Sequence, residues 1–349
     1  MAAALYEWIN LIVRWIHVLA AIMWIGDSFL FMWLDSHLEV PTRPREGAVV
    51  GELWMTHSGG FYEVVKRKYL APRELPTNLY WFKWESYSTW ITGFILLIVV
   101  FYTNNALLLV DPHVANLKAH EAIAASLGLL AISVMVYEIL CRVVGDRPRL
   151  MAIVGLGTIS LAAFATSQLF SPRAVFLQVG AMLGTCMAAN VFFRIIPAQR
   201  NMLAATRAGV QVDVTPGLRA KVRSRHNHYL TLPVLFTMLS SHFPRLYAHP
   251  RSWLVLVLLF VFGAGLKYVM NFRLRGTPLV PIGALASLGA AFYITLPPPP
   301  TAISATIEHQ PPVSFQLVQN IISLRCISCH AKVPSNSAFV APPAGLTLE

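Results

Sequence analysis

The chain has 349 residues, of which 56% are hydrophobic and only 12% are charged, and its mean hydropathy is +0.58. These values exclude an ordinary soluble domain and predict a polytopic membrane protein. The formal net charge is +11, but the basic residues lie in short loops between apolar segments, where they indicate membrane topology and not nucleic-acid binding.

Eight segments are apolar and long enough to cross about 30 Å of hydrocarbon, so we predict an all-α, polytopic bundle of about eight transmembrane helices. The first continues past Trp24 without a small-residue cleavage site, which favours a span over a cleaved signal peptide. The sixth contains Pro233, which we expect to interrupt it. The predicted spans are Trp8–Met32, Trp84–Val110, Glu121–Val143, Leu150–Phe170, Ala174–Ile196, His228–Phe243, Trp253–Asn271 and Pro278–Leu296.

Lys and Arg are concentrated in the odd-numbered loops between these spans. The even-numbered loops hold only Lys118, Arg173, Arg245 and Arg251. Because basic loops stay in the cytoplasm, the odd loops are predicted to be cytoplasmic. An even number of spans then places the N- and C-termini in the periplasm of a bacterial inner membrane.

The long first loop is rich in Trp, Tyr and Lys. These residues are typical of the boundary between lipid and water. The loop is therefore predicted to form an interfacial element, such as a helix lying on the membrane surface.

Near the C-terminus, Cys326, Cys329 and His330 form a C-x-x-C-H motif, which indicates covalent attachment of haem c. The two thiols would bond the porphyrin and His330 would be the proximal iron ligand. A zinc site or redox pair is the alternative, but zinc needs four ligands. The other cysteines, Cys141 and Cys186, lie in hydrophobic segments. Attachment of haem c outside the membrane agrees with the predicted topology.

The tail divides into a Pro-rich linker, residues 297–312, and a cytochrome c-like segment, residues 313–349, after a membrane domain of residues 1–296. Phe315, Val318 and Ile322 recur at helical spacing and predict a short helix before the motif. No Met follows Met270, so the usual distal ligand is missing. The haem segment is therefore expected to be truncated, or its iron to be ligated differently.

Ionisable residues inside spans are functional candidates. Arg14 and His17 share one face of the first span. One interpretation is that His17 is an axial ligand of a haem b, with Arg14 available to a propionate; the other is a histidine hydrogen-bonded within the bundle. Bis-histidine ligation needs a second histidine, for which His242 is the first choice and His120 the alternative.

A second group of polar residues is predicted on the cytoplasmic side. His226 and His228 lie at the cytoplasmic start of the sixth span, the first of them just before it, while His57 and Glu85 flank the first loop. These residues are candidates for a substrate pocket with general acid and base groups. Each could equally be an interfacial residue that faces water.

Several runs are similar to the membrane-bound, cytochrome-c-fused urate hydroxylases of the urate oxidase N-terminal domain family. The most specific begins at Ser224 and contains His226-Asn227-His228. The resemblance covers nearly the whole chain. The similar runs are residues 54–62, 81–85, 190–193 with Ile196-Pro197, 224–236, 241–244, 325–330 and 342–345.

The resemblance implies oxidation of urate to 5-hydroxyisourate, with electrons leaving through haem to cytochrome c or a terminal oxidase of the respiratory chain. His57 or His226 would be the base, and Arg or Lys of the first and fifth loops would bind the urate anion. The chain departs from the family pattern at Glu63, Tyr80 and His228. The family's haem domain also continues beyond the point where this chain ends.

Two other classes of function compete with this prediction. A haem-containing electron-transfer anchor would have no substrate of its own, and a urate or purine transporter would need no haem. The C-x-x-C-H motif favours an electron path over a transport path. The expected partners are thus urate, a cytochrome acceptor and membrane lipid, with no nucleic acid.

Overall fold

The computed structural model describes residues 2–272, 277–297, 313–335, 341–342 and 345–348. Two short strands and twelve α-helices are described in these ranges. The helices are α1 (Ala2–His37), α2 (Trp84–Leu97), α3 (Ala119–Val144), α4 (Pro148–Ser167), α5 (Pro172–Asn190), α6 (Ile196–Arg207), α7 (Thr215–Leu239), α8 (Pro244–Tyr247), α9 (Ser252–Phe272), α10 (Leu279–Ile294), α11 (Phe315–Arg325) and α12 (Ile327–His330).

Each predicted span overlaps a helix, and six described helices are long and apolar enough to cross a membrane, with α5 and α6 counted as one. The apolar helix α10 is shorter, and α7 is too polar to be among the six. A total of eight spans thus stays a prediction. The long apolar helices are compatible with a membrane protein.

The centre of the bundle is α5, which packs against α2, α3, α4, α7 and α9. Its residues Phe176 and Val179 join Phe170, Leu256 and Phe260 in the buried core. In contrast, α1 lies at the periphery, packs mainly on α2 and exposes a row of large apolar side chains. Such a surface is costly in water but favourable against lipid.

The fold is mostly helical, as predicted, but the first loop corrects the expectation of a surface helix. It folds as an antiparallel hairpin of β1 (Val49–His57) and β2 (Gly60–Arg67). Ser58 and Gly59 connect the strands with φ values of 51° and 77°, the left-handed pair that a two-residue hairpin turn requires. Alternating aromatic and β-branched residues favour strands over a helix here.

The hairpin is fixed by a buried carboxylate at its base. Glu52 is 4% exposed and accepts hydrogen bonds from the Thr42 amide at 2.9 Å and from Arg45 at 2.5 Å. These two partners, the Thr42 amide first, lower the pKa of Glu52. Glu52 therefore stays ionised and holds the hairpin against the segment before it.

Pro233 does not interrupt the sixth predicted span as expected, because α7 continues through it. The proline ring needs space on the helix surface, and Gly263 of α9 supplies that space. A Cβ atom at Gly263 would lie only 3.2 Å from Pro233 Cδ. The close approach of α7 and α9 thus depends on this glycine.

The predicted helix before the C-x-x-C-H motif is present as α11. The motif follows directly, with Cys326 at the end of α11 and His330 at the end of α12. Most of the predicted Pro-rich linker, residues 298–312, lies outside the described residues.

Candidate functional site on the two faces of helix α7

Two polar networks lie on opposite sides of α7, and His226, Asn227 and His228 supply both. His226 and Asn227 contact α3 and α5, whereas His228 contacts α1 and α9. We call the first the Tyr137 network and the second the Lys267 network. Adjacent positions on a helix point in different directions, which is how one tripeptide serves two sites.

Close helix packing brings the Tyr137 network together. A Cβ atom at Gly180 of α5 would lie 2.0 Å from Thr237 Oγ1 of α7, so only glycine permits this approach. Beyond Asn190, the helix widens into a π-helical turn, Val191–Ile195. Pro197 explains the turn, because it has no N–H to donate to the preceding turn. Such turns are frequent at functional sites.

Tyr137, Asn190, Asn227 and His226 form a continuous set of hydrogen bonds. Asn190 Nδ2 donates to the Tyr137 hydroxyl at 2.9 Å and to Asn227 Oδ1 at 2.8 Å. The Tyr137 hydroxyl lies 2.9 Å from His226 Nδ1. Since the tyrosine oxygen accepts from Asn190, its proton is available to His226.

Glu138 pairs with three arginines beside Tyr137. Arg223 donates to it at 2.8 Å and Arg142 at 2.9 Å, and Arg194 also pairs with it. Arg223 is the least exposed of the three, with its side chain 11% exposed, and its guanidinium lies 5.1 Å from the centre of the Tyr137 ring. Three guanidinium groups on one carboxylate leave a local excess of positive charge, which attracts anions.

A cavity of about 260 Å³ opens at this network. Tyr137, Glu138, Asn190, Phe193 and Arg194 contribute to its lining. It therefore combines aromatic faces, an amide and cationic groups. This combination suits a planar anion that can stack and accept hydrogen bonds.

His226 lies before the predicted sixth span, and burial is the main cause that lowers its pKa to about 4. The neighbouring positive charges of Arg223 and Arg225 act in the same direction. His226 is therefore neutral at pH 7. A neutral imidazole can accept a proton.

The Lys267 network is more deeply buried. His228 is 1% exposed, its Nδ1 lies 3.2 Å from Ser28 Oγ and its Nε2 lies 2.9 Å from Asn271 Oδ1. Lys267, also 1% exposed, stacks against the ring of Phe29. Within the described part of the chain, no carboxylate pairs with Lys267. This network lacks the charge compensation of the Tyr137 network.

The predicted acid-base residues do not form one pocket. His57 is exposed at the tip of the hairpin, and Glu85 begins α2 with its Oε2 buried and without a hydrogen bond in the described residues. His226 and His228 lie in the two separate networks. The fifth-loop candidate His226 is the one that reaches a cavity-lining residue directly.

His17 is half-buried between α1 and α2. Its Nδ1 lies 3.1 Å from the Thr89 carbonyl and 3.0 Å from Thr92 Oγ1, so Nδ1 donates and Nε2 remains available. This arrangement fits both a haem ligand and a structural histidine. His242 and His120 are exposed, and no hydrogen bond joins either to His17 in the described residues. Arg14 is exposed and bonds Asn10 at 3.0 Å.

The C-x-x-C-H segment fits haem attachment at its histidine. His330 Nδ1 lies 2.9 Å from the Leu346 carbonyl, and Leu348 N donates to the His330 carbonyl at 2.9 Å. The first bond fixes the tautomer that leaves Nε2 for iron, as in ligating histidines generally. Cys326 and Cys329 are half-buried thiols three positions away from each other. No cluster of three metal-ligating side chains occurs in the described residues.

Sequence reasoning did not single out Tyr137, Glu138, Arg194, Lys267 and Asn271. A signal existed for three of them, because Glu138, Arg194 and Lys267 lie inside predicted spans, where ionisable residues are expensive and functional by default. Asn190 and Arg223 entered only as part of a similar run and of the basic fifth loop, and their contacts made them individual candidates.

The comparisons with known proteins agree with the resemblance found in the sequence. The sequence model described as "Urate oxidase N-terminal" matches residues 3–296. No curated protein and no solved structure matches the chain. The matched range contains both networks and every described helix except α11 and α12. The chain therefore belongs to the urate oxidase N-terminal family, which indicates an oxidoreductase with a urate-related role.

Proposed function

We propose that the protein is a membrane-bound urate hydroxylase that oxidises urate at the Tyr137 network and passes the electrons to a cytochrome c-linked respiratory chain. The observation that carries this proposal is the cavity where three arginines share Glu138 beside Tyr137 and neutral His226. The family match supplies the substrate.

The reaction sets the requirements for the site. The urate monoanion and one water give 5-hydroxyisourate, one proton and two electrons. A site for it must bind a planar anion, hold a water and accept a proton, and it needs an electron acceptor within reach. The Tyr137 network offers groups for the first three tasks.

Arg194 lines the cavity, and Arg223 contacts its lining residues Glu138 and Asn190. Both would bind the anion, because guanidinium groups form paired, charge-assisted hydrogen bonds with planar oxygen acceptors. Phe193 and Tyr137 would provide aromatic faces for the purine ring. Asn190 would keep the Tyr137 hydroxyl oriented, since it donates to that oxygen at 2.9 Å. The proton would move to His226, either directly or through the Tyr137 hydroxyl.

Cys326, Cys329 and His330 would hold haem c, which when bound supplies an acceptor that takes electrons one at a time. The hydrogen bond of His330 Nδ1 to Leu346 supports this assignment. His17 is our candidate for an axial ligand of a haem b, because Thr89 and Thr92 fix its Nδ1. The alternative partners His242 and His120 remain candidates for the second ligand.

The direct test is anaerobic absorption spectroscopy of the purified full-length protein. Addition of urate should reduce the haem bands, whereas xanthine should not. Reduction of both b-type and c-type bands would support both haems. Bands that stay oxidised with urate would contradict the proposal and leave an electron-transfer anchor. Accumulation of labelled urate in vesicles without redox change would indicate a transporter.

A pair of matched variants locates the site. Arg223→Met should abolish urate-dependent reduction, because it removes the buried guanidinium. Arg142→Gln removes an exposed partner of the same carboxylate, since the Arg142 side chain is 69% exposed, and should leave reduction nearly unchanged. Equal effects of the two variants would show that the urate site lies outside the Tyr137 network.

A further inference from the structure

A second cavity lies outside both networks. It is a groove of about 440 Å³ between the irregular segment of residues 75–81 and two residues of α6, Leu203 and Arg207. We call it the loop groove. It shares no lining residue with the cavity at the Tyr137 network. Its volume is in the range of small-molecule sites.

The groove is formed by a segment that is fixed at both ends. At its start, Glu74 accepts hydrogen bonds from the Ala71 amide at 2.7 Å and from Arg67 at 2.9 Å. At its end, Lys83 N donates to the Trp81 carbonyl at 3.1 Å as the chain enters α2. Pro76 further restricts the segment between these points. The groove therefore exists without a ligand, which lowers the entropic cost of binding.

The main chain itself forms one wall, because seven consecutive residues line the groove. In the described part of the chain, the backbone groups of residues 76–80 make no hydrogen bond to protein atoms. Residues 77–80 each offer an N–H donor and a C=O acceptor, whereas Pro76 offers only its C=O. A ligand edge that carries both N–H and C=O groups can pair with them.

The opposite wall supplies charge, and the segment supplies aromatic surface. Arg207 is exposed and has no carboxylate partner among the described residues. Trp81 is half-buried and Tyr80 is exposed at the groove. A guanidinium beside two aromatic rings favours a planar anion over an aliphatic one.

We propose that the loop groove is a second binding site for a planar heterocyclic anion with a lactam edge, the chemistry of an oxidised purine. Arg207 neutralises the anion, Trp81 stacks on its ring, and the backbone of residues 76–80 pairs with its N–H and C=O groups. The identification of this anion as urate rests on the proposed function, whereas the chemical class rests on the groove alone.

Calorimetric titration of the full-length protein with urate tests the proposal. Dithionite-reduced, anaerobic protein cannot accept electrons, so urate binds without being consumed. We expect two binding sites in the parent protein. Arg207→Met should weaken one of them about tenfold or more, the size expected for loss of one charge-assisted hydrogen-bond pair, and Arg223→Met should weaken the other.

Matched controls separate the groove from general charge effects. Arg200→Met removes another arginine of α6 that does not line the groove, and both sites should remain. Trp81→Leu should weaken urate binding at the Arg207-dependent site. If Arg207→Met does not fold, Trp81→Leu is used for the test instead. Benzoate, a planar anion without a lactam edge, should bind there more weakly than urate.

Two results would overturn the proposal. One is a single urate site that Arg207→Met and Trp81→Leu leave unchanged. The other is displacement of urate from the Arg207-dependent site by phosphatidylglycerol added to the micelles, which would identify a lipid headgroup site. If two sites are found but urate fails to reduce haem, the groove stands and the proposed function fails.

Discussion

The two networks on α7 differ in whether a carboxylate pairs with their buried cationic side chain. In the Tyr137 network, Arg223 is balanced by Glu138, which lines a cavity. In the Lys267 network, the ammonium group is buried without a carboxylate partner in the described residues, and His228 is enclosed by Ser28 and Asn271. The difference suggests that the first network exchanges ligands with its surroundings and that the second is sealed.

The largest effect should come from the buried guanidinium. Arg223→Met leaves Glu138 with Arg142 and Arg194, so folding should persist. Loss of a buried charged partner typically costs about 2 to 5 kcal/mol, so urate-dependent haem reduction should fall about thirtyfold or more. The rate of haem reduction is measured by stopped-flow absorption. A variant that retains the parent rate would show that the Tyr137 network is not the substrate site.

A matched pair of histidine variants compares the two sides of α7 directly. His226→Gln should abolish most urate-dependent reduction with little loss of stability, because His226 is half-buried. His228→Gln should mainly lower the melting temperature, because His228 is 1% exposed and bonded on both nitrogens. Unsatisfied buried groups cost about 1 to 3 kcal/mol each. The reverse outcome would exchange the roles of the two networks.

The pH dependence of stability sharpens the assignment of His226. Its pKa is lowered to about 4 in the folded protein, against about 6.5 when unfolded. The unfolded state therefore binds more protons between these values, and His226 destabilises the fold as pH falls from 6.5 to 4. Melting temperatures between pH 7 and pH 4.5 should fall more steeply for the parent than for His226→Gln. Parallel curves would contradict the lowered pKa.

Close packing of α5 and α7 should matter for one network only. Gly180→Ala places a Cβ atom 2.0 Å from Thr237 Oγ1, and such overpacking typically costs about 1 to 3 kcal/mol. The double variant Gly180→Ala, Thr237→Ala should recover part of the loss. Both melting temperature and haem reduction should follow this pattern. A single variant as stable as the parent would show that the helices can separate freely.

The smallest expected effect is a gain. Lys267→Met removes a buried ammonium that has no carboxylate partner among the described residues and replaces it with an apolar side chain of similar length. Stability should rise by about 1 kcal/mol, because burial of a charge without a carboxylate partner is unfavourable and the contact with the Phe29 ring offsets only part of that cost. Thermal melting in detergent measures the change. A marked loss of stability, together with normal urate-dependent reduction, would show that the Lys267 network needs the charge for its structure.

Local patterns in the sequence were enough for several features. The C-x-x-C-H motif and the helical spacing of Phe315, Val318 and Ile322 predicted the segment found in α11 and α12. Apolar runs located a helix at every predicted span. Both signals depend on neighbours in the chain, so they can be read without knowledge of the fold.

For other features, the local sequence pattern is compatible with two structures and does not decide between them. The first loop has the aromatic and basic residues of an interfacial helix, yet pairing of Trp54 with Glu63 and of Met55 with Tyr62 forms a hairpin. Pro233 was expected to interrupt a span, but α7 continues through it and packs on Gly263 of α9. Pairing with the next strand of the chain decided the first case, and in the second a distant helix leaves space for the proline ring.

The sequence by itself therefore determined the apolar helices, the family and the C-x-x-C-H motif, because each follows from composition or from residues near one another in the chain. Only the tertiary structure decided which polar residues meet. Tyr137, Asn190 and Arg223 belong to three helices, and their contacts depend on the approach of α5 to α7 at Gly180. That approach depends on side-chain volume across the bundle, which no local pattern encodes.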